Sequence, residues 1–185
     1  MKLIIASNNK GKIREYKDIF EPFGFQVYSQ SEENICLEVE ETGTTFEENA
    51  AVKARAIYGI SHCCVISDDS GLEVEALGGE PGLFSARYKG LETEHERRLA
   101  VLKGLEGSDN RKARFVTCIC FIDEAGEEHL FSGVWNGELP SKKKAQMVLA
   151  TTRSSFLKME TERQQPAFRS RLRRHTPTGQ KPFAS

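Results

Sequence analysis

The run Cys63-Cys64-Val65-Ile66-Ser67-Asp68-Asp69 limits what this chain can fold into more than any other stretch. Its first half is apolar and partly β-branched, and its length suits a buried strand. It ends on two adjacent carboxylates, which are costly to bury without cations or hydrogen-bond donors beside them. A fold that uses this strand must therefore bring Asp68 and Asp69 to a rim of the core that water, a cation or a ligand can reach. Side chains of neighbouring strand residues point to opposite faces, so the two acids need not share one role. Paired carboxylates at a strand's C-terminal end suit Mg2+, which takes one or two carboxylates, waters and phosphate oxygens. A solvated Asp-Asp turn is the other reading. The alternation of Ser70-Gly71-Leu72-Glu73-Val74 then predicts a further strand.

Other elements follow from periodicity and turn chemistry. Residues 2–6 (KLIIA) predict a first strand, SNNKGK a loop, and IREYKDIF a helix. FQVYSQ at 25–30 predicts a strand after Pro22 and Gly24. Thr45 with Glu48 three residues on forms the pattern of a capping box, opening a helix through FEENAAVKARAIYGI. EHERRLAVLKGLEG predicts a helix, and the runs RKARFVTCICFID and EEHLFSGVWNGEL flank EAG as a hairpin. The fold class is α/β: a mixed, elongated sheet flanked by helices.

At 185 residues the chain is long enough for one domain with a substantial core, built as two lobes. No apolar run approaches the roughly 20 residues of a membrane span, and the N-terminal apolar stretch is too brief for a secretory signal. Five cysteines, an odd number, point to reduced thiols in the cytoplasm rather than a disulfide framework. His62 and these cysteines could be imagined around zinc, but no CxxC pair supports it. The near-neutral net charge of −1 hides an asymmetry. Residues 141–185 hold 11 of the 26 basic residues and 2 of the 27 acidic ones, which leaves 15 basic and 25 acidic in 1–140. A basic tail can signal nucleic acid, yet Phe156, Phe168 and Phe183 are too sparse for a stacking platform. The chain thus divides into an α/β domain, 1–140, and a basic, aperiodic segment, 141–185, with the composition of a disordered tail.

Three groups of residues carry chemistry. Ser7, Asn8, Asn9, Lys10, Gly11 and Lys12 lie between a strand and a helix, where amides, the positive helix end and lysines suit a phosphate chain. An ordinary polar loop reads the same way. Asp68, Asp69 and Ser70 form the second group, and Glu40-Glu41-Thr42-Gly43 could complete an acidic metal site with them. On a helical wheel Phe46, Ala50, Ile57 and Ile60 form the apolar face of the helix after Thr45, opposite Glu47, Glu48, Arg55 and Tyr58. Lys53 falls in the middle of that apolar face. It either snorkels to water or aims its charge inward at a phosphate or carboxylate.

The stretches SNNKGK, EETGTTFEENAAVKA, SDDSGLEVEALGGEPGLFSARY and FSGVWNGE, in this order across residues 1–138, resemble the inosine/xanthosine triphosphate pyrophosphatase family. The resemblance implies an elongated mixed sheet with helices in two lobes around a nucleotide cleft, usually as a homodimer. It implies hydrolysis of hypoxanthine and xanthine nucleoside triphosphates to monophosphate and pyrophosphate, with Mg2+ as cofactor and no nucleic-acid or membrane partner. Ser7, Asn9 and Lys12 would hold the triphosphate, and Glu41 and Asp69 would bind the metal. Asp69 would also be the general base, with Asp68, Lys53 and Ser70 in the same phosphate site. A non-catalytic nucleotide-binding protein is the alternative.

The family's later signatures, GFGYDP, a Lys and Ser-His-Arg, which grip the base, are missing from the chain. A shift to the adjacent reading frame would explain why. Taking the last base of each codon with the first two of the next, Met147 to Ser155 permits NGFGYDPIF, and Pro177 to Phe183 permits SHRAKAL. The expectation is a chain in frame to about Leu139 and out of frame beyond, hence poorly folded or weakly active.

Overall fold

The computed structural model describes residues 1–140. The basic segment 141–185, and with it both stretches where the adjacent frame permits the missing motifs, lies outside the described residues. Among those described, five strands form one sheet: β1 (Lys2–Ile5), β2 (Gln26–Ser29), β3 (Cys64–Val74), β4 (Lys112–Ile122) and β5 (Glu128–Glu138). The spatial order is β2-β1-β3-β4-β5. β1 pairs parallel with both β2 and β3, whereas β3, β4 and β5 pair antiparallel, so the sheet is mixed as expected. Helices α1 (Lys10–Phe20), α2 (Phe46–Ser61) and α3 (Glu94–Gly104) flank it.

The order of the first three strands decides where a ligand can go. The chain leaves β1, passes through α1 to β2 on one side, then returns through α2 to β3 on the other. Right-handed crossovers put the two helices on opposite faces of the sheet. Tyr16 and Phe20 of α1 accordingly pack on Leu3, Ile5 and Ile66, while Ala50, Ala54 and Ile57 of α2 pack on Ile4 and Val65. Such a split leaves a crevice beyond the carboxyl end of β1, the usual ligand position in open α/β sheets.

A third core lies at the far end of the long β3–β4 ladder. There Val74, Tyr88, Val101, Leu105, Ala113 and Leu139 come together beneath α3. Asp68 and Asp69 occupy the interval between the cores.

The structure corrects several local expectations. No turn follows Asp69: β3 runs unbroken from Cys64 to Val74, because β4 supplies ladder partners throughout, Asp68 opposite Ile119 and Asp69 opposite Cys118. Helix α1 begins at Lys10 rather than Ile13, since Asn9 caps it by accepting from the amides of Gly11 and Lys12. The box at α2 is half formed. Thr45 Oγ1 accepts from the Glu48 amide at 3.1 Å, but the Glu48 carboxylate accepts from the Thr44 amide instead of the Thr45 amide. Ile60 is exposed, because it falls in the last turn of α2, just before His62 turns the chain back into β3. Tyr58, expected outside, packs in part against the α2 core. No helix among the described residues is long and apolar enough to cross a membrane.

Candidate active site

The period-two geometry of β3 sends its two acids to different helices. Ser67 and Asp69 face α2, where Ser67 Oγ donates to the Ala50 carbonyl at 2.5 Å and Asn49 Nδ2 donates to Asp69 Oδ2 at 3.0 Å. Asp68 faces α1, with its Oδ2 2.6 Å from Lys12 Nζ and accepting from Ser70 Oγ at 3.1 Å. Its other oxygen, Oδ1, is buried with no hydrogen-bond partner among the described residues. The Tyr16 phenol is pushed up, first by burial and then by the neighbouring Asp68 carboxylate.

On the α2 side Lys53 is the hub. Its Nζ lies 2.8 Å from Glu41 Oε1 and 3.9 Å from Asp69 Oδ1, and its side chain is 16% exposed. The lysine on the apolar face therefore points inward at carboxylates and does not snorkel. Arg87, from the 3-10 segment Gly82–Gly90, reaches the second oxygen of Glu41 at 2.9 Å. Burial pushes the Glu41 carboxyl upward, but the hydrogen bonds and charges of Lys53 and Arg87 outweigh it and hold it below its ordinary value. Asp69 goes the other way. Burial raises its carboxyl, with help from the Glu41 charge, against the opposing pull of Lys53 and the Asn49 hydrogen bond.

Asn49 ties the loop before α2 to this site. Its Oδ1 accepts from the Gly43 amide at 2.8 Å while its Nδ2 holds Asp69, and it is 1% exposed. Gly43 packs so tightly on the helix start that a Cβ there would lie 2.7 Å from both Asn49 Oδ1 and Glu48 Cβ. Replacing Asn49 with Ala strips partners from a buried amide and from an oxygen of Asp69. We expect a loss of about 1–3 kcal/mol in a urea melt, together with loss of any turnover that depends on Asp69.

The loop after β1 is organised by its own side chains. Ser7 Oγ accepts from the Asn9 amide at 3.1 Å, and Asn8 Oδ1 accepts from Ser31 Oγ at 2.9 Å. Lys10 and Gly11 are exposed in the first turn of α1. Of the residues expected at a phosphate site, the fold thus gathers Lys12, Asp68 and Ser70 on one face and Glu41, Lys53 and Asp69 on the other, with Ser7, Asn8 and Asn9 in the loop between β1 and α1. Both groups sit beyond the carboxyl end of β1, where β3 runs on past its pairing with β1.

The structure adds three residues to that set. Asn49 stood near the apolar edge of the helical wheel, where a buried amide is a signal in itself. Arg87 lies within the SARY motif but carries no local cue to Glu41, 46 positions away. Tyr16 reads from sequence as core alone. The cysteines do not join the site chemistry: all five are free, and burial pushes the Cys118 thiol up to about 11 and the Cys120 thiol to about 12. Among the described residues no three His, Cys, Asp or Glu side chains gather as a metal cluster.

A mixed sheet with lysines, an arginine and carboxylates collected at its switch point defines an α/β protein with a crevice suited to a polyanion and an accompanying cation. The chain belongs to the Ham1 family, whose sequence model matches residues 3–148. It is 45% identical over 140 residues to a dITP/XTP pyrophosphatase of an Exiguobacterium species, covering 75% of this chain and 71% of that protein. A Staphylococcus aureus protein of the same name is 43% identical over 142 residues, covering 76% and 72%. Among solved structures, the Staphylococcus aureus Ham1 protein superimposes with a TM-score of 0.69 at 42% identity, over 76% of this chain and 72% of that one. A HAM1 protein from Coxiella burnetii gives 0.69 at 35% identity, over 77% and 74%.

Proposed function

We propose that the protein lineage to which this chain belongs hydrolyses hypoxanthine and xanthine nucleoside triphosphates (dITP, ITP, XTP) to the monophosphate and pyrophosphate. The observation that carries this reading is the convergence of Glu41, Lys53 and Asp69 at the crevice where Lys12 and Asp68 meet from the other face. The names of the relatives, hydrolases of acid anhydrides, support it. We further propose that it acts in the cytoplasm, as a homodimer, on free nucleotides and not on nucleic acid or membranes.

The donor set fits Mg2+. Glu41 and Asp69 present hard oxygen donors on facing segments, and two carboxylates plus substrate phosphates is a usual way to hold that ion. Asp68 Oδ1, without a hydrogen-bond partner among the described residues, adds a further buried acceptor on the other face of β3. When bound, Mg2+ would supply charge neutralisation and polarisation of the phosphate oxygens. The chain's own residues do the rest. Lys12 and Lys53 bring positive charge to the phosphate chain from the two faces, where it opposes the charge developing on the departing pyrophosphate. Asp69, kept more basic by burial and oriented by Asn49, takes a proton from the attacking water. A water-oxygen to phosphorus bond forms, the bridging phosphorus–oxygen bond breaks, and pyrophosphate carries off the bonding pair. Ser7 and Asn9 fix the loop that sets the height of Lys12 above the sheet.

For the segment beyond Leu139 we propose the frame shift described above, which would remove the base-gripping groups and leave this chain weakly active. The test is pyrophosphate release from dITP, XTP and dATP, with Mg2+ or with EDTA. It is run on this chain and on one rebuilt in the adjacent frame from codon 140. The rebuilt chain is expected to prefer dITP and XTP and to stop in EDTA, while this chain is slow. Vigorous inosine-selective hydrolysis by this chain would sink the frame-shift reading. If neither chain releases pyrophosphate, the nucleotide-binding alternative replaces the enzyme.

A further inference from the structure

We infer that Arg87 exchanges partners when a metal-bound phosphate chain enters, leaving Glu41 and taking the phosphates. The inference rests on the proposed function and extends it to a residue outside the Lys12, Lys53 and Asp69 set.

Three observations carry it. First, the two oxygens of Glu41 are divided between two cations, Oε1 to Lys53 at 2.8 Å and Oε2 to Arg87 at 2.9 Å. With Asp69 3.9 Å from Lys53, two cations and two carboxylates alternate in the order Arg87–Glu41–Lys53–Asp69. A divalent ion held by Glu41 and Asp69 would compete with the cations already on those oxygens. With the carboxylate charge taken up by such an ion, Lys53 and Arg87 would be left with positive charge to offer a phosphate chain.

Second, the two cations differ in freedom. Lys53 is fixed in a buried helix face and its side chain is 16% exposed, whereas the Arg87 side chain is 47% exposed at the open side of Glu41. Of the two, Arg87 is the one able to move. Its planar guanidinium also matches phosphate oxygens in a two-pronged way that an ammonium does not.

Third, the segment that carries Arg87 is anchored to the strand that carries the acids. The guanidinium lies over the Phe84 ring, 5.3 Å from its centroid. Ser85 Oγ accepts from the Leu72 amide at 2.9 Å. The segment backbone also presses on Gly71, two residues past Asp69. The base of the arginine is thus fixed relative to Asp69, while its half-exposed tip is held by Glu41 and the Phe84 ring.

The test compares the full chain with Arg87→Met and Arg87→Lys, using Mn2+ alone and then inorganic tripolyphosphate at saturating Mn2+. Neither probe needs a base site. Removing the competing cation should make Arg87→Met bind Mn2+ alone severalfold more tightly. Losing a charged hydrogen-bonding partner should make it bind tripolyphosphate about tenfold more weakly. Arg87→Lys should return Mn2+ affinity toward that of the unaltered chain and restore tripolyphosphate affinity only in part. The opposite signs in Arg87→Met are the signature, since a merely structural arginine would weaken both ligands together. Weakening of both, or unchanged tripolyphosphate affinity, overturns the inference. If the unaltered chain fails to bind Mn2+ with tripolyphosphate, the reading of the site falls and the inference with it.

Discussion

Asp69→Asn should lower turnover of the frame-restored protein by about 100- to 10,000-fold, the usual contribution of a positioned general base. The protein should stay folded. An amide has one carbonyl oxygen, so the substituted side chain would keep an acceptor for only one of the two donors now on the carboxylate, Asn49 Nδ2 and the Ser70 amide. Against that loss, the substitution removes a charge that burial disfavours. The metal-free protein gives an independent check through its pH dependence. The Asp69 carboxyl lies above its ordinary 3.8 in the folded state, so its stabilising contribution is present below that value and is lost as pH rises through the folded value. Urea melts of the two proteins should therefore shift in favour of the Asp69→Asn protein as pH is raised from the acid side to neutrality. A constant difference would show that Asp69 is not strained by burial.

The largest stability effect is expected at Gly71→Ala. A Cβ at this buried position would collide with the Gly82 carbonyl oxygen and lie 2.8 and 2.9 Å from two ring carbons of Phe46. The first obstacle is backbone, so a side-chain rotation cannot relieve it. Either β3 or the segment carrying Arg87 must move. We expect a loss of about 3 kcal/mol, at the upper end for overpacking, which lowers the melting temperature by roughly 10 °C. The matched control is Gly59→Ala, exposed in α2 with no atom within 4 Å of the added carbon. That change should stabilise by about 0.5–1 kcal/mol through helix propensity and chain entropy. Opposite signs for two Gly→Ala changes separate close packing from backbone freedom. Tripolyphosphate affinity should fall in Gly71→Ala and not in Gly59→Ala, because only the first displaces the base of Arg87.

Legibility from sequence followed the range of the interaction. The position of Lys53 on the apolar face follows from a 3.6-residue period within one helix, and the opposite directions of Asp68 and Asp69 follow from a two-residue period within one strand. Ile60 shows where periodicity fails: the face is right, but a wheel does not say where the chain turns back into the sheet. The SNNKGK loop shows a competition that composition leaves open. Asn9 spends its side chain on capping the amides of Gly11 and Lys12, so the lysine, not those amides, faces the carboxylates.

Legible in the chain alone were the α/β class, most of the element order, the two acids and their divergence, the place of Lys53 on an apolar helix face, and the family resemblance across residues 1–138. All of these are written in short windows, because side-chain direction repeats with the backbone. The tertiary structure decided which groups meet. Strand order β2-β1-β3 opened the crevice beyond β1, and the β3–β4 ladder carried the strand straight through Asp68 and Asp69 instead of turning there. Packing of the Gly82–Gly90 segment on Gly71 then brought Arg87 to Glu41, across 46 positions of chain. Such pairings depend on where distant backbones come to rest, and no local pattern of residues encodes that distance.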